Sequence, residues 1–238
     1  MKILAIECSA GPASAAIIEN GQILADASVN IKLTHSQTLM PMIKGILDSS
    51  FTDIADIGGI AVAAGPGSFT GIRIGIAAAK GIAAPKNLPC AAVSTLRAMA
   101  EGFKRQNAVI CAVMDARCNQ VYNALFEIEG DTVTRLCEDR ALMCDELAKE
   151  LSILSEKGKK IIITGDGTDL FYPYVAELSG VTAAYTPLKF QNAAAVGLAS
   201  EEMFNKGDTL TPERLLPIYL RLPQAERELK AKKGDTKK

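Results

Sequence analysis

Short apolar runs at Lys2 to Glu7, Ser14 to Ile18 and Gln22 to Val29 predict three strands at the start of the chain. Asn20-Gly21 separates the second from the third and supplies the left-handed backbone of a tight hairpin turn. From Thr34 to Ser49 the apolar positions change to helical spacing. An unbroken small and apolar run at 59–64 then predicts a buried strand, residues 70–84 a helix, Pro89 to Val93 a short strand, and Thr95 to Lys104 a connecting helix. The order then repeats. Val109 to Asp115, Gln120 to Ile128 and Thr132 to Leu136 read as strands, with Gly130-Asp131 as the turn. A helix at 144–156, a strand at Lys160 to Thr164, a helix from Thr168 to Leu178, a strand at Val181 to Ala184 and a helix from Gln191 to Phe204 follow. The order βββαβαβ therefore occurs twice.

The junction Gly65-Pro66-Gly67-Ser68-Phe69-Thr70-Gly71 joins the fourth strand to its helix. Its glycines permit close backbone approach, and Ser68 or Thr70 can cap the helix. Phosphate-loop patterns fail here: a Walker A loop starting at Gly65 needs Gly at Thr70 and Lys at Gly71, and a dinucleotide fingerprint needs its third glycine at Thr70. A nucleophile elbow on Ser68 needs glycine at Pro66 and Thr70. The helix beyond has almost no polar face. Gly71, Gly75 and Ala79 form a flat stripe beside Ile72 and Ile76, which predicts burial on a second side against another helix. The helix at 34–49 spreads Leu39, Met40, Met42, Ile43 and Leu47 too widely to face one core. The two helices together are expected to form an apolar pad for a partner, which Gly75→Arg is expected to break without unfolding the chain. Pro41 predicts a kink or a late start in the first of them, and Thr34 with Gln37 predicts a capping box.

The 238 residues carry a net charge of −1, so the body holds no excess positive charge for nucleic acid by itself. No run approaches ~20 apolar residues, and Glu7 interrupts any leader-like segment, which predicts a cytoplasmic protein with no membrane contact. Six cysteines (8, 90, 111, 118, 137, 144) contain no C-x-x-C pair and read as reduced packing residues, so no metal site is expected. The segment Arg221 to Lys238 holds seven basic and three acidic residues and reads as a solvated end.

Duplicated βββαβα units resemble the α/β actin-like ATPase (ASKHA, ribonuclease H-like) fold of sugar kinases, acetate kinases and Hsp70, with nucleotide between the lobes. The resemblance implies lobes at 1–104 and 105–220, the last helix packing back on the first lobe, with 221–238 as a tail. It also implies that Glu7, Ser9, Gly11, Asp115, Gly165 and Gly167 would face a nucleotide, here as a vestigial cleft. LAIECSAGPASAAI, HSQTLMPMI, GPGSFTGIRIG, DARCNQVYNA and PIYLRLPQAE together resemble the TsaB (YeaZ) family along nearly the whole chain. That resemblance implies a non-catalytic relative of TsaD, needed to make threonylcarbamoyladenosine beside the anticodon of ANN-reading tRNAs. It would pair with TsaD through its N-terminal lobe, work with TsaE, form a homodimer alone, and meet tRNA only within the complex. TsaD-type proteins hold metal with a His-x-x-x-His pair, whereas His35 is the single histidine here and Leu39 stands four residues on. No catalytic residue is therefore expected. The competing enzyme reading is an ATP-dependent phosphotransferase using Glu7 and Asp115.

Overall fold

The computed structural model describes residues 1–31 and 33–221; the charged segment beyond Arg221 lies outside the described residues. The first sheet consists of β1 (Lys2–Glu7), β2 (Ala13–Glu19), β3 (Gln22–Val29), β4 (Ile57–Gly65) and β5 (Cys90–Ser94), in the order β3-β2-β1-β4-β5. Helices α1 (His35–Ser49) and α2 (Phe69–Ala83) follow β3 and β4, and α3 (Thr95–Glu101) follows β5. The second sheet consists of β6 (Val109–Asp115), β7 (Gln120–Glu129), β8 (Thr132–Arg135), β9 (Arg140–Met143), β10 (Ile161–Thr164) and β11 (Val181–Ala183). Its order is β11-β10-β6-β7-β8, and β9 pairs with β7 as well. Helices α4 (Cys144–Glu156), α5 (Thr168–Phe171), α6 (Thr186–Lys189) and α7 (Ala193–Lys206) complete the chain.

Each central strand has one antiparallel and one parallel neighbour. Leu4 lies opposite Ile17 of β2 and Ile60 of β4, and Ala112 lies opposite Ala124 of β7 and Thr164 of β10. The same order in both halves makes this the duplicated actin-like α/β fold. Alternation along the strands supplies two faces per sheet. On the first sheet, Leu4, Ile6, Ile17 and Val62 meet α1 and α2. Ile3, Ala5, Ile18 and Val93 on the other face meet Ala98 of α3 and Ala193, Val196 and Ala199 of α7. Helix α3 and the turn after it also reach the second sheet, where Leu96, Met99 and Phe103 pack on Ala112, Ala124 and Phe126.

Four elements differ from the expectations, one of them the single-turn helix α6 at Thr186–Lys189, which was not expected. The helix expected over 168–178 closes at Phe171, because Pro173 lacks the amide that would continue it, and passes into a 3-10 turn at Tyr172–Tyr174. Strand β9 was not expected; it is short and runs directly into α4. Helix α1 runs unbroken past the exposed Pro41, and its N-cap Thr34 makes no capping bond, since its hydroxyl pairs with Ser36 at 3.0 Å. The expected capping box is therefore absent. Ser68 does cap α2, accepting from Gly71 N at 3.3 Å.

The pad expected on α1 and α2 requires a larger correction. Leu39, Met42, Ile43, Ile72, Ile76 and Ala79 are buried in the core of this chain, as are Gly71 and Gly75. The small-residue stripe serves the sheet beneath it: a Cβ on Gly71 would stand 1.9 Å from Cys8 O, and one on Gly75 would touch Cys8, Val62 and Ile6 at 3.5–3.6 Å. A large side chain at Gly75 would disrupt this packing, so Gly75→Arg cannot report on partner binding alone. Of the ten pad residues, only Met40 is exposed, and Leu47 is half-buried.

Candidate functional site

Four chain turns converge between the sheets: residues 8–12 after β1, 66–68 after β4, 116–119 after β6 and 165–167 after β10. They enclose a cavity of about 430 Å³ lined by Ser9, Ala10, Gly11, Gly67, Ser68, Phe69, Met114, Asp115, Ala116, Arg117, Tyr122 and Asp166. Both halves build their wall in the same way. Ser68 N–H donates to Ser9 O at 2.7 Å, and Gly167 N–H donates to Val113 O at 3.2 Å, so each glycine loop folds back onto the end of its central strand. A Cβ on Gly67 would lie 2.4 Å from Ser9 O, and one on Gly165 1.9 Å from Val113 O. Glycine is needed here for backbone contact within the chain.

Of the residues expected to face a nucleotide, Ser9, Gly11 and Asp115 line the cavity. Glu7, Gly165 and Gly167 do not; they form the layer behind it. Glu7 is fully buried, one carboxylate oxygen takes the Ser9 N–H, and the other has no partner among the described residues. Burial pushes its pKa up to about 7, and nearby Asp166 adds to the rise. Asp166, whose pKa is also raised by burial, accepts from Gln191 Nε2 at 2.9 Å. Asp115 stands at the opposite wall, accepting from Arg117 N at 2.7 Å, with the Arg117 guanidinium 3.4 Å away. Asp166 and Arg117 stand in the Gly165-Asp166-Gly167 and Asp115-Ala116-Arg117-Cys118 turns that the sequence brings toward a nucleotide, whereas Phe69 and Tyr122 carry no such signal.

Nucleophile chemistry is poorly served. Burial pushes the Cys8 thiol up to about 12 and Cys90 to about 11, which suppresses the reactive thiolate. The His35 ring nitrogen Nε2 lies 3.1 Å from Gly11 O and is held at the start of α1. Among the described residues no three His, Cys, Asp or Glu side chains form a group that could hold a metal ion, and no helix is long and apolar enough to cross a membrane.

A family model described as TsaD, tRNA N6-adenosine threonylcarbamoyltransferase, matches residues 23–227. The tRNA threonylcarbamoyladenosine biosynthesis protein TsaB of Escherichia coli is 32% identical over 98% of this chain and 100% of its own length. The chain belongs to the TsaB family. The TsaB of Bacillus subtilis agrees, at 31% identity over 95% of this chain and 96% of its own. The solved YeaZ of Pseudomonas aeruginosa superposes with a TM-score of 0.78 at 25% identity, covering 92% of this chain and 99% of its own. Membership of the TsaB family places the chain in the biosynthesis of threonylcarbamoyladenosine in tRNA.

Proposed function

We propose that this TsaB-family chain is the non-catalytic, activating subunit of a threonylcarbamoyl-transfer complex, pairing with TsaD and working with TsaE in the cytoplasm. Alone it forms a homodimer through the same surface, and tRNA meets it only within the complex. The lobes 1–104 and 105–220 are its two structural units, and the cleft carrying Ser9, Gly11 and Asp115 is a vestige of nucleotide binding. The observation that carries the pairing is an apolar groove of about 380 Å³ between α1, Ile82 of α2 and residues 52–54, lined by Met40, Leu47 and Ile54 among others. Beside it Phe51 is 98% exposed, Met40 49% and Ile54 45%, an arrangement that costs solvation unless another surface covers it. Lys44 and Asp48 at its rim offer charges for orientation.

The test is threonylcarbamoyl incorporation into tRNA by reconstituted TsaD and TsaE with TsaC as the source of the threonylcarbamoyl-adenylate donor, with no added chain, with the wild type, or with Met40→Asp/Phe51→Asp. Both positions are exposed, so the variant keeps its fold by circular dichroism. Activity that needs the wild type and falls at least ~10-fold with the variant supports the reading. Equal activity in all three arms removes it. Tight magnesium-dependent ATP binding by the isolated chain would instead favour the phosphotransferase reading, which the open cavity beside Asp115 keeps in view.

A further inference from the structure

After α7 the chain returns along the first sheet and then crosses to the second. Leu210 exchanges both backbone hydrogen bonds with Cys90, at 2.8 Å each. Glu213 O accepts from Lys80 Nζ at 3.2 Å, and Leu215 is fully buried in the core beneath α2. Ile218 N–H then donates to Ala64 O at 2.7 Å, directly over the glycine loop, where a Cβ on Gly65 would stand 2.3 Å from Ile218 O. The Tyr219 ring stacks on Phe69 with centroids 4.6 Å apart. Its hydroxyl accepts from Arg73 Nε at 2.7 Å, and the guanidinium carbon lies 5.6 Å from the ring centre. Two residues later the anchorage has changed lobes: Leu220 packs on the core of the second sheet, and Arg221 Nη1 donates to Ala116 O at 2.7 Å.

Phe69 and Ala116, the groups gripped at either end of this crossing, both line the cavity between the sheets. The anchors are unlike the burial of Leu215. Tyr219 is 39% exposed, Ile218 40% and Leu216 62%, and Arg73 is also exposed, so the crossing is held by side chains that solvent or a competing surface can reach. The lobes have a separate tie, with Ser94 Oγ donating to Asp139 Oδ2 at 2.6 Å and Arg135 bonded to the same carboxylate. Loss of the 216–221 anchor would therefore leave this tie in place as a hinge.

We propose that residues 216–221 form a latch between the lobes beside the cleft, seated on Phe69 and Arg73 in one lobe and on Ala116 in the other, and that unseating Tyr219 lets the cavity widen. Whatever displaces Arg73 from Tyr219 would then act on the β6–β7 turn without touching it.

The test uses the full chain and compares wild type, Arg73→Ala, Arg221→Ala and, as a remote surface control, Arg105→Ala, whose partner is Asp131 on the far side of the second sheet. Hydrogen exchange reads the Ile218 amide and the Ala116 and Gln120 amides, which are bonded within the turn to Gln120 O and Arg117 O. Peroxide oxidation of Met114, which is buried in the cavity wall, reads opening, with the exposed Met40 as internal standard. With the latch as described, Arg73→Ala speeds exchange at Ile218 by about tenfold and, across the cleft, at Ala116 and Gln120 by a similar factor, and oxidises Met114 faster. Arg221→Ala does the same from the other end, and Arg105→Ala changes none of the readouts. If Arg73→Ala loosens Ile218 alone, with the turn amides and Met114 as in wild type, the contacts are local and the latch is overturned. No change at any of these positions overturns it equally.

Discussion

Glu7 and Asp115 end the central strands of the two sheets, and each accepts a hydrogen bond from the amide two residues further on, Ser9 in one lobe and Arg117 in the other. The local device is shared, but the surroundings have diverged. Glu7 is sealed behind the cavity wall, with a carboxyl pushed up to about 7, whereas Asp115 faces the cavity beside a guanidinium. The glycine junctions diverge likewise. Gly165 is pressed against the neighbouring strand at Val113 O, and Gly65 against Ile218 O of the distant C-terminal crossing. A duplicated fold has thus kept its backbone plan while assigning one copy of each feature to internal packing and the other to the cavity or to the C-terminal crossing.

The sharpest break in this comparison comes at the glycines. Gly165→Ala places a methyl 1.9 Å from a strand carbonyl at φ +112°, and is expected to cost about 4 kcal/mol or more in urea unfolding. Gly65→Ala, at φ +128°, meets a segment that can lift, and is expected to cost about 2 kcal/mol while speeding exchange at Ile218. Equal losses would mean that the crossing is as rigid as the strand.

The carboxylates come next. A carboxyl whose folded pKa lies above its ordinary 4.5 holds its proton more tightly in the native state, so its contribution is fullest below that value and declines until about pH 7. The expected loss from Glu7 over that window is about 3 kcal/mol. Glu7→Gln keeps an oxygen for Ser9 N–H and should be more stable than wild type at pH 8, with the difference gone near pH 4. Chemical denaturation at the two pH values measures this, and a gap independent of pH would show that the Glu7 proton is not involved. Asp115→Asn, on the half-exposed side, should change stability by less than about 1 kcal/mol in the same assay.

The strand order could be read because alternation and the Asn20-Gly21 turn are local signals. The helix over 168–178 was overread because Leu170, Phe171, Val175 and Leu178 keep helical spacing across Pro173, which ends the ladder regardless of that spacing. The pad was drawn too wide for a deeper reason. Periodicity reports which side chains share a face, and Gly71, Gly75 and Ala79 do share one, but it is silent on what covers that face. The sheet's own Cys8 takes the place assigned to a foreign helix. At the cleft, the residue types at strand ends were legible, and their depth was not: Glu7 and Ser9 are two positions apart, yet only Ser9 reaches the cavity.

Helix α7 comes from the end of the second half but covers Ile3, Ala5 and Ile18 of the first sheet. During synthesis, the five strands of that sheet are complete once Ser94 has left the ribosome, yet one of its faces is covered only by Ala98 of α3 until residues 193–206 follow. At ordinary elongation rates that interval is on the order of ten seconds. For that time the nascent chain carries a half-covered apolar sheet, a surface that chaperones can occupy and that neighbouring chains on the same message can reach.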